Sequence, residues 1–350
     1  MARSTHARAR TLTVVSVSYP FAPVTADPVG GAEQVLAQLD RALVAAGHRS
    51  IVIAPEGSRV AGELRPIAAP AGEIDDAWRM RVHAEVRDRL RHSIAIDDPD
   101  VVHLHGIDFD AYLPAPGPAV LATLHLPLEW YSAAALAPSR PRTHLHPVSS
   151  SQARSAPAGA RIGAAIENGV ELSFEPARKR GFALALGRIC PEKGFDDAIA
   201  ASRRAGVPLL IAGEAFAYRA HQRYLHEALV PQLGRDCRWI GPVAGHRKQR
   251  LLAQARCVLV PSKVRETSSL VAMEAMAAGT PVIAYRIGAL PEIVEDGRTG
   301  FVVDDVEAMA AAIGKVGRID PHTCRSRARD RFSLERMTRA YLERYRELAA

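Results

Sequence analysis

Cysteine is scarce in this chain and nowhere clustered. The four cysteines, Cys190, Cys237, Cys257 and Cys324, are scattered along 350 residues and form no C-x-x-C pair. That spacing argues against a zinc cluster and against a disulfide framework, so a reduced cytoplasmic protein is the simplest reading. No run of about 18 apolar residues occurs, which argues against a spanning helix. Residues 1–10 are basic and polar and lack an apolar core, so they do not read as a secretory signal. Low-complexity tracts and short internal repeats are missing too. Lysine is rare: five lysines stand against 40 arginines. The imbalance resembles genomic codon bias, and it makes each lysine, Lys193 among them, more informative.

What is present describes an ordinary globular chain. Hydrophobic residues make up 48% and charged residues 24%, enough for a full core and far from disorder. A length of 350 residues fits two domains or one large one. The net charge of +7 sits at the ends: residues 315–350 carry ten Lys/Arg against five Asp/Glu, and residues 1–10 carry three Arg and no acid. A nucleic-acid binder would carry its basic face on the folded body, so no nucleic-acid partner is expected. The basic termini are compatible with a weak peripheral contact to an anionic membrane, although a solvated basic helix explains them more simply.

Short β-rich runs alternate with helical stretches. Strands are predicted at 11–17, 51–54, 101–104, 120–124 and 145–148, with helices at about 32–46 and 74–96. A second series starts near Phe182, with strands at 182–186, 208–212, 237–240, 257–260, 281–284 and 301–303. Its helices are predicted at about 217–230, 246–255, 269–278 and 304–313, and a last helix at about 333–348. Such alternation implies α/β architecture with parallel sheets covered on both faces. We expect two Rossmann-like domains facing across a cleft: residues 1–167, residues 168–330, and a terminal helix, 331–350, that packs back on the first domain. Ligands of such sheets bind at the carboxyl ends of strands, which directs attention to three loops.

The first loop runs from Arg265 to Glu274 and continues through Ala275-Met276-Ala277-Ala278-Gly279-Thr280-Pro281-Val282. Ser268 or Ser269 can cap the helix that follows, and Glu274 falls about 9 Å beyond Ser268. A helix N-terminus binds anions such as a diphosphate. Glu266 before it and Glu274 inside it could grip hydroxyls on either side, a geometry suited to a nucleotide-sugar. Spacing alone fits equally a capped amphipathic helix with two solvated glutamates. In the second loop, Gly187-Arg188-Ile189-Cys190-Pro191-Glu192-Lys193-Gly194, two cations stand near a strand end, where they can neutralise a diphosphate without a metal. A solvated turn is the alternative. The third, Val29-Gly30-Gly31-Ala32-Glu33, opens backbone amides to a ligand, but G-x-G-x-x-G is absent.

Together these segments resemble the retaining GT-B glycosyltransferases of family 4. The specific part is E-x7-E-A-x-A-x-G-T-P-V, matched by Glu266, Glu274, Gly279, Thr280 and Pro281. The Gly187-Arg188 and Lys193-Gly194 pairs match a second hallmark, and Gly30-Gly31-Ala32-Glu33 matches the acceptor-side glycine loop. Asn168-Gly169-Val170, Ile211-Ala212-Gly213-Glu214, Pro291-Glu292-Ile293-Val294 and Gly297-x-x-Gly300 add further likeness. It covers roughly residues 10–320, and is strong over 180–303 and thin over 55–100.

The resemblance implies a transfer of sugar from a nucleotide diphosphate to a hydroxyl acceptor, with retention and without cofactor or metal. Glu274 would hold the ribose, Glu266 the donor sugar, and Arg188 and Lys193 the diphosphate, helped by amides near Ser269 and Leu270. His125 matches a histidine beside the donor sugar, and Gly187 and Val243 would border the nucleotide. Family frequency favours UDP-glucose. The short 55–100 segment favours a small or lipid-linked acceptor. One departure concerns sugar choice: Thr267-Ser268-Ser269 replaces the Gly-Phe-Gly that follows the first glutamate in many members. The alternatives are a GT-B-like epimerase or phosphorylase, or a non-catalytic sugar-nucleotide-binding protein. The pairs His103/His105 and His144/His146 lack a completing ligand and are not read as metal sites. Asp97-Asp98-Pro99-Asp100 and Asp304-Asp305 are read as structural.

Overall fold

The computed structural model describes residues 10–25, 30–69, 75–175 and 177–350. Residues 1–9 lie outside these, as do Val29 of the glycine loop and Ile74 near the predicted start of the charged helix.

Two six-stranded parallel sheets organise the chain. The first holds β1 (Thr13–Val17), β2 (Arg49–Pro55), β3 (Glu63–Ile67), β4 (Val101–Leu104), β5 (Ala119–Leu124) and β6 (Thr143–Pro147), in the order β3-β2-β1-β4-β5-β6. The second holds β7 (Ala183–Leu186), β8 (Leu209–Ala212), β9 (Cys237–Trp239), β10 (Cys257–Val260), β11 (Val282–Tyr285) and β12 (Gly300–Val303), in the order β12-β11-β10-β7-β8-β9. Each order is that of a Rossmann fold, reversing direction beside its first strand. Helices cover both sheets: α1 (Gly31–Ala45), α2 (Asp76–Asp97), α3 (Ala133–Leu136) and α4 (Ser150–Arg154) in the first half. The second half carries α5 (Phe195–Arg204), α6 (Arg219–Arg223), α7 (Gly245–Gln254), α8 (Leu270–Ala277), α9 (Leu290–Ile293), α10 (Val306–Lys315), α11 (Pro321–Phe332) and α12 (Leu334–Ala349).

The central strands are buried on both faces, so they read as continuous apolar runs. Val15 of β1 pairs with Ile51 on one side and Val102 on the other, and all three are fully buried. The strand β3 was not expected from its sequence, Glu-Leu-Arg-Pro-Ile. It is an edge strand, paired among the described residues with β2, and an edge tolerates Pro66 and the exposed charges around Glu63. The predicted helix at 217–230 is broken into α6, a π-helical turn (Tyr224–Leu229) and a 3-10 turn (Val230–Gln232), where Pro231 supplies no amide for an α-helical bond. The helix α11 escaped prediction because its buried side chains, Cys324, Ala328 and Phe332, form a narrow row amid charge.

The acid pairs are structural. Asp100 accepts from the Thr13 amide at 2.8 Å, Asp97 pairs with Arg49, and Asp305 caps α10. Two crossings join the halves and lie side by side. Val170 donates to the Phe332 carbonyl at 2.8 Å, and Leu334 donates to Val170 at 3.0 Å. Gly169 is required here by space, since a Cβ would stand 2.5 Å from the Ser333 carbonyl oxygen.

After the second crossing, α12 returns to the first sheet. Its fully buried Tyr341 and Tyr345 reach polar groups near the ends of β4 and β5. Tyr345 shares a 2.7 Å hydrogen bond with His103 Nδ1, and Tyr341 a 3.2 Å one with Thr123. Thr123 also bonds His103 Nε2 and His146 Nε2, each at 2.7 Å. Replacing Tyr345 by Phe strands the buried His103 Nδ1. Urea unfolding of that variant is expected to show a loss of about 1–3 kcal/mol; an unchanged midpoint would mean the hydroxyl contributes nothing to docking α12.

Candidate active site

Each sheet opens a crevice where its strand order reverses, between β1 and β4 and between β7 and β10. The loops that leave these strand ends carry the residues singled out in the sequence.

On the second sheet, the chain leaves β7 at Gly187 with φ +149° and leaves β8 at Gly213 with φ +150°. The two turns touch: a Cβ on Gly213 would stand 1.7 Å from the Gly187 carbonyl oxygen. That contact brings Arg188 over the Phe216 ring, 5.7 Å from its centre. Lys193 follows in a 3-10 turn and donates to Glu266 Oε1 at 2.5 Å. The Ser262 hydroxyl donates to the same oxygen. Glu266 is held in the loop after β10 by its backbone carbonyl, which accepts from Ala289 at 2.7 Å.

The helix α8 starts at Leu270. Ser269 rather than Ser268 is its cap, accepting from the Ala272 amide at 3.3 Å. The Leu270 side chain belongs to the core, so only backbone at this position can face a ligand. Glu274, 6% exposed, accepts from Lys248 of α7 at 2.9 Å and from Gln34 of α1 at 2.8 Å. Both bonds fall on Oε1. Val243 is half-buried and packs against the core.

The first sheet supplies the opposite wall. Gly30 caps α1, and the Glu33 side chain folds back on it so closely that a Cβ on Gly30 would lie 1.8 Å from Oε2. A Cβ on Gly31 would meet Leu270 of the other sheet at 3.5 Å. Burial pushes the Glu33 carboxyl up; its own amide and Arg188 across the cleft pull it back. His125 follows β5. Its carbonyl accepts from the Thr267 hydroxyl at 2.6 Å, a second bond between the halves. Its ring Nε2 shares a 3.0 Å hydrogen bond with His105 Nδ1, and the two rings stack. Burial, reinforced by His146, pushes His125 down to about 3.

The structure therefore brings Lys193 to Glu266, Gln34 to Glu274, and the Thr267 loop to His125. Gly31 lies against Leu270, and Arg188 within electrostatic reach of Glu33. Sequence reasoning missed Gln34, Lys248, Ser262 and Thr267 as partners. Lysine scarcity was the available signal for Lys248.

Two facing Rossmann domains with this cleft define a GT-B fold. The same fold is seen in the crystal structure of a glycosyltransferase involved in avilamycin A biosynthesis, with a TM-score of 0.70, 25% identity, and 97% and 98% of the two chains covered. An Anabaena protein solved in complex with UDP-glucose gives 0.71 at 17% identity over 96% of this chain and 100% of that one. Residues 29–162 match the model of Glycosyltransferase Family 4, and residues 181–317 that of Glycosyl transferases group 1. Glycogen synthase of Mycobacterium tuberculosis (strain CDC 1551 / Oshkosh) is 30% identical over 383 residues, 90% of this chain and 88% of its own. The chain belongs to the family 4, group 1, glycosyltransferases. Among the described residues no helix is long and apolar enough to cross a membrane.

The buried histidines make stability depend on pH. Burial lowers His146 to about 4, below the ordinary value near 6.5. The unfolded chain therefore takes up this proton first as the pH falls, and stability drops between about 6.5 and 4. From pH 7 to 5 the loss through His146 is about 2 kcal/mol. Denaturant unfolding at pH 7, 6 and 5 checks it: His146→Gln is expected to flatten the slope, and an equal slope in both proteins would contradict the assignment.

Proposed function

We propose that this glycosyltransferase moves glucose from UDP-glucose to a hydroxyl of a small or lipid-linked acceptor, with retention of configuration and without a metal. The observation that carries the reading is the pairing of Lys193, in the loop that leaves β7 with Arg188, to Glu266 in the loop that leads into α8. A diphosphate there would meet two cations and the amides of a capped helix. Lys193 would leave Glu266 for phosphate, and Glu266 would then turn to the sugar hydroxyls. Glu274 would exchange Gln34 for the ribose. An Anabaena protein of the same fold, solved in complex with UDP-glucose, is in keeping with this choice of donor.

No carboxylate in this set is positioned as a nucleophile. Glu266 is engaged by Lys193 and Ser262, and Glu274 by Lys248 and Gln34. We therefore favour front-face displacement. The bond from anomeric carbon to phosphate oxygen breaks as the acceptor oxygen bonds on the same face. The acceptor proton passes to the departing phosphate, whose negative charge Arg188 and Lys193 stabilise. The neutral His125 ring, beside the sugar, can hydrogen-bond it without competing for the proton.

A thermal-shift panel with UDP, GDP and ADP, each with and without EDTA, tests the donor site. A ligand at 100 times its Kd adds about 2.7 kcal/mol. UDP alone is expected to shift the transition, equally in EDTA, and Glu274→Ala to abolish the shift; no response to any diphosphate would remove the reading. Lys193→Ala is expected to lower kcat by about 10²-fold or more in an assay of UDP release. A near-normal rate would take Lys193 out of leaving-group stabilisation.

A further inference from the structure

A second cluster of chemistry-bearing side chains joins the loop that carries Arg188 and Lys193 to α6. Cys190 and Glu192 belong to that loop, and His221 belongs to α6. One potential ligand atom from each, a thiol sulfur, a carboxylate oxygen and a ring nitrogen, lies within 4.8 Å of the other two. Cys190 is fully buried and His221 is 8% exposed. Glu192 Oε2 and His221 Nδ1 are both buried with no hydrogen-bond partner among the described residues. Two buried polar atoms left so are costly unless something binds them.

The cluster is held in place by bonds other than its own. Ile189 donates to the Glu214 carbonyl at 2.8 Å, tying the Cys190 loop to the one that leads into α6. Gln222, beside His221, donates to the carbonyls of Ala215 and Phe216, each at 3.0 Å. The Lys263 backbone amide donates to the Glu192 carbonyl at 2.8 Å, and the Lys193 amide to that of Cys190 at 3.1 Å. The three side chains thus converge on supports from four segments. Half-buried Glu192 forms the rim through which an ion can enter.

We propose that Cys190, Glu192 and His221 form a binding site for one zinc-type divalent cation. Thiolate, imidazole and carboxylate are the ligands that zinc takes, and three protein ligands leave one tetrahedral position open. A magnesium or calcium ion would want oxygen throughout. On binding, the Cys190 S–H bond breaks, sulfur bonds the metal, and the proton leaves to solvent. The ion, thiolate and carboxylate then sum to zero charge, so the nearby Arg188 guanidinium meets no net repulsion. The site shares a loop with Arg188 and Lys193 but takes neither as a ligand, so metal binding can be read without any nucleotide present.

Cobalt(II) is the probe. Titrated into the protein purified in chelator and then freed of it, cobalt is expected to give a thiolate-to-metal charge-transfer band that saturates at one equivalent. Zinc should displace it, and magnesium should not. Cys190→Ser is expected to abolish the band, while Cys237→Ser keeps it. His221→Ala is expected to weaken binding by at least about tenfold, a loss typical even of an outer partner. No band in the wild-type protein, or one that survives Cys190→Ser, would overturn the site. Should Cys190→Ser fail to fold, the wild-type titration and His221→Ala remain decisive.

Discussion

The cleft is organised by the cost of burying a charge. A carboxylate taken from water must find a cation or several donors, or it will be protonated instead. Glu266 meets this demand with Lys193 and Ser262, and Glu274 with Lys248 and Gln34. The partners of Glu266 come from the loops after β7 and β10, and those of Glu274 from α7 and from the opposite domain. Satisfying these two acids therefore fixes the relative positions of several loops and of the two sheets. It also makes the site exchangeable. A ligand carrying phosphate and hydroxyls replaces one set of charged hydrogen bonds with another of similar strength, so binding need not strand any of these groups.

The same logic governs the first domain in a neutral form. His103, His105, His125 and His146 gather at the ends of β4, β5 and β6, and none of them pairs with an acid among the described residues. Burial keeps them neutral. Most of their ring nitrogens are served by Thr123, Tyr345, the Pro147 carbonyl and one another, while the buried His105 Nε2 has no hydrogen-bond partner among the described residues. The contact of this network with α12 joins the last helix chemically to the strand that leads to His125.

Much of this was legible in the sequence, and the legible parts share a cause. Buried parallel strands such as β7 and β10 are continuous apolar runs, and the glycines of the strand-end loops mark close approaches. The motif carrying Glu266 and Glu274 is local, so its spacing predicts its helix. The edge strand β3 was not legible because an edge need not be apolar. Gln34 and Lys248 were not legible because their contacts with Glu274 depend on how separate elements dock. The histidine pairs were visible, but as pairs along one strand. Tyr345 lies 242 residues from its partner His103, and Tyr341 lies 218 residues from Thr123, and no local pattern encodes such a meeting.

The placement of α12 has a consequence for synthesis. The first domain is encoded first, yet His103 and Thr123 receive their tyrosine hydroxyls only from the helix Leu334–Ala349. While the ribosome is still producing the second domain, the first must wait with a row of apolar side chains uncovered and His103 Nδ1 without its tyrosine partner. Domains usually fold in order of emergence. Here the first to emerge is the last to be completed, and the second domain's folding delivers the piece that closes it.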